Sequence, residues 1–191
     1  MPIPHLISTI FSPLPLGAFT LGWILHQAHS WTATWHWLSL TFGLLLGGPL
    51  LFLLVQIKRH KIADLSLSLR HQRWQMYLMM LAALGLTLLV MTKLSPPLEL
   101  WLFLISILGM LLISLIINQY YHKISIHMMG IGAPLGIFVV YGSEWAILFL
   151  ALIPLVGWAR WKMKRHTVPE IISGTLVSAG VSWGVFLAFM S

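Results

Sequence analysis

The sequence predicts an all-α, polytopic transmembrane helix bundle, and three observations carry that prediction. Of 191 residues, 59% are hydrophobic and only 8% are Asp, Glu, Lys or Arg, whereas a soluble domain averages about 25% charged residues. Mean hydropathy is +0.91. The apolar stretches are continuous and approach or exceed the ~18–20 residues a helix needs to cross a bilayer; a β-barrel would show short alternating segments instead. Residues 1–191 read as one integral membrane domain, because no polar stretch is long enough to fold alone.

Seven apolar segments follow in order, at roughly 6–26, 36–57, 75–93, 99–119, 126–141, 145–160 and 170–190. The first opens on "MPIPHLISTIF", which lacks the basic start of a secretory signal and reads as a retained helix. The second runs into the basic stretch "KRHK", and the third begins after "RHQRW". "SPP" at 95–97 separates the third from the fourth. "YGSE" at 141–144 separates the fifth from the sixth, and "TVPE" at 167–170 opens the seventh, with Pro169 suited to a first helical turn. The fifth and sixth segments are short, so six or seven spans are both compatible with the pattern.

Seven spans place the polar stretches 58–74, 120–127 and 160–169 on one side of the membrane. Ten of the eleven Lys and Arg lie there, and only Lys93 lies on the other. By the positive-inside tendency that side, with the N-terminus, faces the cytoplasm, as in a bacterial inner membrane. Cysteine is absent, which excludes disulfides, thiol catalysis and thiolate metal sites.

Two polar clusters stand out because ionisable groups are costly in or near a bilayer. The first is "KISIH", with Lys123, Ser125 and His127; the second is "RWKMKRHTVPE", with Arg160, His166 and Glu170. Glu170 in a first helical turn can accept a hydrogen bond from one nitrogen of His166, fixing the tautomer and leaving the other as a nucleophile. Arg160 offers a planar fork of donors to a phosphate. His127 can exchange a proton near neutrality, and the amides at its helix start can help hold an anion. This combination suits phosphoryl transfer through a phosphohistidine.

These residues resemble the type-2 phosphatidic acid phosphatase superfamily, which also contains bacterial acid phosphatases and vanadium haloperoxidases. Its motifs are Lys-x6-Arg-Pro, Pro-Ser-Gly-His and Ser-Arg-x5-His-x3-Asp. Ile124-Ser125-Ile126-His127 stands for the second and Ala159-Arg160-x5-His166-x3-Glu170 for the third, both at the family's spacing. No Lys-x6-Arg-Pro occurs; "KRHKIADLSLSLRHQRW" holds its place, with Lys61, Arg70 and Arg73 as candidate phosphate ligands and Trp74 where the proline would be. The resemblance covers about residues 55–190 and implies a phosphatase-like helical core. It implies that His166 attacks phosphorus and Glu170 orients it. His127 then protonates the leaving group and afterwards activates water. Arg160, Arg70, Arg73 and Lys61 hold the phosphate oxygens, with Ser125 contributing a hydroxyl or amide; Lys123 is a further phosphate-binding candidate outside the motif. It implies neither a metal nor a cofactor. Ile126, Ala159 and Glu170 depart from the family's glycine, serine and aspartate.

Other features have simpler explanations. His26, His29 and His36 lie among Trp23, Trp31, Trp35 and Trp37, as in an aromatic belt at a membrane edge; a haem or quinone site would require His26 or His36 to face the bundle interior. Lys162, Lys164 and Arg165 read as headgroup anchors. Asp64 reads as an ion-pair partner of Lys61 or Arg70. Gly130, Gly132 and Gly136 read as close helix contacts. The resulting expectation is a membrane phosphatase acting on a lipid phosphate or isoprenyl diphosphate, with the bilayer as its surroundings and no nucleic acid partner. The alternative is a catalytically silent relative serving as a structural or lipid-binding subunit of a membrane complex.

Overall fold

The computed structural model describes residues 2–58 and 70–190, and for residues 70–73 the backbone alone. Among the described residues, eight α-helices occur in this order: α1 (Ile3–Ile10), α2 (Pro13–Ala28), α3 (Trp31–Lys58), α4 (Arg70–Leu94), α5 (Leu98–Tyr120), α6 (Ile126–Val140), α7 (Trp145–Lys162) and α8 (Val168–Met190). There is no strand among the described residues. Among the described residues, six helical stretches are long and apolar enough to cross a membrane, the first being α1 and α2 taken together. The protein is an all-α, polytopic integral membrane protein.

The segment expected at 6–26 is two helices. The chain leaves α1 at Phe11 and re-enters helix at Pro13. Proline lacks an amide proton, so it favours a first turn over a continuing helix. The fifth expected segment is α6, 15 residues long, or about 22 Å at 1.5 Å per residue. It falls short of the ~30 Å hydrocarbon core.

Polarity is inverted relative to a soluble protein. Leu51, Leu54, Leu89, Ile147, Leu150 and Leu176 are exposed, while Thr20, Thr34, Thr41, Thr87, Ser106, Ser114, Ser178 and Ser182 are buried. That is the expected arrangement where lipid is the solvent and small polar side chains lie between helices. Several buried hydroxyls bond back to their own helix, as Thr20 does to the Leu16 carbonyl and Thr87 to that of Ala83, both at 2.8 Å.

The chain divides into two units, Met1–Leu21 with Ile105–Ser191, and Gly22–Leu104. In the second, α3 packs on α4, with Leu53 buried against Ile57 and Met76. His26 there stacks on Trp31, ring centroids 3.7 Å apart, and His36 is exposed. The exposed His36 fits an aromatic belt, whereas His26 Nδ1 is buried with no hydrogen-bond partner among the described residues.

In the first unit the central pair is α6 and α8. Gly132 and Gly136 turn toward α8 so closely that a Cβ on either would overlap the backbone carbonyls of Thr175 and Ala179. Small residues at this spacing let two backbones meet. α7 packs on α6, and α1 packs on α7. The α6–α7 turn closes with Ser143 N–H on the Phe138 carbonyl and Gly142 N–H on that of Val139, with Gly142 at φ 61°. This is the Schellman arrangement, in which a left-handed residue satisfies the last carbonyls of a helix.

Candidate functional site

The N-termini of α6 and α8 and the C-terminus of α7 meet at one end of the first unit, and each is brought there by a local rule. α7 ends with Lys164 at φ 55°. Arg165 N–H bonds the Arg160 carbonyl at 3.1 Å, and Lys164 N–H bonds that of Trp161 at 2.8 Å. This second Schellman turn reverses the chain between Arg160 and His166. α8 then starts at Val168, with Glu170 in its first turn. Glu170 Oε2 accepts the Thr167 backbone N–H at 3.2 Å, the return half of a capping box.

The same carboxylate oxygen lies 2.8 Å from His166 Nδ1. An ionised carboxylate only accepts, so Nδ1 carries the proton and Nε2 keeps the lone pair. Both side chains are buried, His166 at 6% exposure and Glu170 at 7%. Lys123 Nζ is 3.9 Å from Glu170 Oε2 and donates to the Arg165 carbonyl at 3.0 Å. Lys123 therefore ties the 121–125 loop to the α7–α8 turn and keeps a positive charge beside the carboxylate.

Ser125 joins the two polar clusters. Its backbone N–H donates to the Glu170 carbonyl at 3.2 Å, and a Cβ placed on Gly174 would lie 2.7 Å from the Ser125 carbonyl. Only a residue without a side chain lets α8 pass this close to the loop before α6. Ser125 is the N-cap of α6, yet its hydroxyl makes no capping bond. That hydroxyl is buried and has no hydrogen-bond partner among the described residues. A buried hydroxyl left so costs on the order of 1–3 kcal/mol, and it stands ready to bond an oxygen of a ligand.

Ile126 and His127 form the first turn of α6. Ile126 is 45% exposed, so its bulk lies outside the cluster instead of filling it. Burial, and then the nearby Arg160 charge, push the pKa of His127 down to about 4, while a hydrogen bond from its ring to the Ser8 backbone carbonyl works the other way. Arg160 Nη1 donates to Ser8 Oγ at 2.9 Å. Ser8, on α1, is buried at 6% exposure. It is a member of the site that the sequence did not disclose, since it lies 152 positions from Arg160 in a stretch with no charged residue.

His166, His127, Glu170, Arg160, Ser125 and Lys123 thus all belong to one end of the first unit. Arg70 and Arg73 begin α4, in the other unit. Lys61 and Asp64 lie outside the described residues. Among the described residues no group of three His, Asp or Glu side chains is placed to hold a metal ion. No family model, curated protein or solved structure matches the chain.

Proposed function

We infer that the protein is an integral membrane phosphatase that releases phosphate from a lipid phosphate or diphosphate through a phosphohistidine. The observation that carries this reading is the 2.8 Å contact between His166 Nδ1 and Glu170. A buried imidazole oriented by a carboxylate is an activated nucleophile. Cations at Lys123 and Arg160, and the orphaned Ser125 hydroxyl, supply the complement to phosphate oxygens. The resemblance of Ser125-x-His127 and Arg160-x5-His166 to the type-2 phosphatidic acid phosphatase motifs supports the same reading.

The chemistry is as follows. Nε2 of His166 attacks phosphorus as the bond to the leaving oxygen breaks. The N–P bond forms, and the leaving alkoxide or phosphate takes a proton from His127, which is neutral at rest and gains that proton when the negative charge of bound phosphate raises its pKa. Water then loses a proton to His127 and attacks the phosphoryl group, the N–P bond breaks, and inorganic phosphate leaves. Arg160 spreads the charge that accumulates on the equatorial oxygens. Glu170 stabilises the imidazolium character that His166 gains during attack.

A substrate with a long apolar tail fits a site at the helix ends of a membrane protein. Isoprenyl diphosphates, phosphatidic acid and phosphatidylglycerophosphate share the required phosphate. The Lys and Arg bias supports a site at the cytoplasmic face of a bacterial inner membrane, where a biosynthetic role follows more naturally than recycling on the outer face. The test is phosphate release from these three substrates by purified protein in detergent, with EDTA, beside His166→Ala. Turnover that survives EDTA and is lost in the variant is the expected result. A folded protein that releases phosphate from none of them would overturn the reading in favour of a silent, lipid-binding subunit of a membrane complex.

A further inference from the structure

α1 is amphipathic in an unusual sense. Its exposed face carries Ile3, Leu6 and Ile10, and the residue it buries is Ser8. At 100° per residue, Ser8 lies about opposite the centre of that apolar stripe. A helix in lipid turns apolar residues outward without cost, but a polar residue turned inward needs a polar destination. Here the destination is the two groups that Ser8 meets. Its hydroxyl accepts from Arg160 Nη1 at 2.9 Å, and its carbonyl accepts from the ring of His127.

The corner between α1 and α2 explains how this placement is held. A Cβ on Gly130 would lie 2.8 Å from the Pro13 Cα, so the proline corner is seated directly on α6. Gly130 is three residues after His127, hence on the same face of that helix. The seat for Pro13 and the imidazole that meets Ser8 therefore lie one turn apart. With the corner fixed, α1 runs back over the start of α6 and the end of α7.

We propose that Ser8 is a positioning residue of the site: its carbonyl fixes the tautomer and direction of His127, and its hydroxyl fixes the plane of the Arg160 guanidinium. This rests on the phosphatase reading for its catalytic meaning. Ser8 then does for His127 what Glu170 does for His166. A carbonyl can only accept, so the His127 nitrogen facing Ser8 carries a proton, and the other nitrogen is the one that exchanges protons with the leaving group and water. The bond at Nη1 holds the plane of the guanidinium in a fixed direction.

The test pairs kinetics with a readout that does not need turnover. Ring-15N-histidine spectra of the full chain in detergent micelles are recorded for the wild type, Ser8→Ala, Ser8→Thr and Gly130→Ala, with His127→Gln assigning the signal. Wild type is expected to give one fixed His127 tautomer with a bonded N–H. Ser8→Ala loses the bond to Arg160 but keeps the backbone carbonyl, so its His127 tautomer should stay fixed; Gly130→Ala pushes away the Pro13 corner and should give an averaged tautomer. Each should also lower kcat/KM about 10-fold, the order expected from losing one hydrogen bond to a charged group. Ser8→Thr keeps the hydroxyl and should restore kcat/KM. An unchanged His127 spectrum in folded Gly130→Ala protein, or unchanged kcat/KM in folded Ser8→Ala protein, would overturn the proposal. A wild type without turnover would overturn the phosphatase reading instead, and the spectra would still decide the role of Ser8.

Discussion

Glu170 and His166 share a buried hydrogen bond of 2.8 Å across one turn at the start of α8. The same oxygen also caps the helix through the Thr167 amide at 3.2 Å. The two roles separate in two variants. Glu170→Gln keeps the shape and an acceptor but loses the charge that stabilises an imidazolium. It is expected to fold normally and to lower kcat by at least about 100-fold, the lower end for a group that supports acid–base chemistry. Glu170→Ala should lose activity as well and cost about 1 kcal/mol more in stability, the usual worth of a cap. Phosphate-release kinetics and thermal unfolding in the same detergent measure the two effects. Equal activity of Glu170→Gln and wild type would remove Glu170 from the mechanism and leave it a cap.

Gly174 offers a test of how tightly the two polar clusters are joined. Its missing side chain would stand 2.7 Å from the Ser125 carbonyl and 3.2 Å from the Met128 Cβ. Gly174→Ala must therefore push the Ser125 loop away from α8, breaking the bond from Ser125 N–H to the Glu170 carbonyl. The expected cost is about 1–3 kcal/mol, the range for overpacking, with loss of activity. Gly180 and Gly184 lie on the same helix and have nothing within 4 Å of a built Cβ. Alanine there should be neutral or stabilise by up to about 1 kcal/mol through helix propensity. Thermal unfolding of the three variants decides it; similar behaviour at all three positions would show that α8 does not press on the loop.

Lys164 carries the left-handed turn that ends α7. A non-glycine residue at φ 55° stores backbone strain of about 1 kcal/mol, and the side chain at this position has no role in the hydrogen bonds of the turn. Lys164→Gly should raise stability by about that amount while leaving activity unchanged. Lys164→Val, β-branched at a left-handed position, should lower it. If Lys164→Gly lowers stability and activity together, the side chain has a function beyond the turn.

Apart from the break between α1 and α2, the helices of the first unit were legible in the sequence, and so were all the residues gathered at its end except Ser8, for identifiable reasons. The breakers at 141–144 and 167–170 marked the ends of α6 and the start of α8 because glycine and proline act locally. The spacing of His166 and Glu170 was legible because a first helical turn brings residues four apart together. Ser8 was not legible, because its contacts to Arg160 and His127 depend on the proline corner seating on Gly130, a relation between distant segments. The helix break at Ser12-Pro13 was visible as a proline within an apolar run, but uninterrupted hydropathy outweighed it. Lys123 read as a phosphate ligand by its charge; only the fold brings its ammonium to the Arg165 carbonyl.

That last contact sets up a distinction between Lys123 and Arg160. The Lys123 ammonium already spends one donor on the Arg165 carbonyl at 3.0 Å, and its side chain is one-quarter exposed. Its first role is to hold the 121–125 loop against the α7–α8 turn. Arg160 donates from Nη1 to Ser8, and its flat donor fork suits a phosphate better than an ammonium does. Lys123→Met should therefore cost about 1–2 kcal/mol of stability, in line with one hydrogen bond from a charged group. It should preserve most of the rise in unfolding temperature that millimolar phosphate produces. Arg160→Met should abolish that rise, since a ligand stabilises only in proportion to its affinity for the folded state. Thermal unfolding of both variants with and without phosphate, at constant ionic strength, separates the roles. Loss of the phosphate effect in Lys123→Met to the same extent as in Arg160→Met would show that the ammonium binds phosphate directly and that the loop tie is secondary.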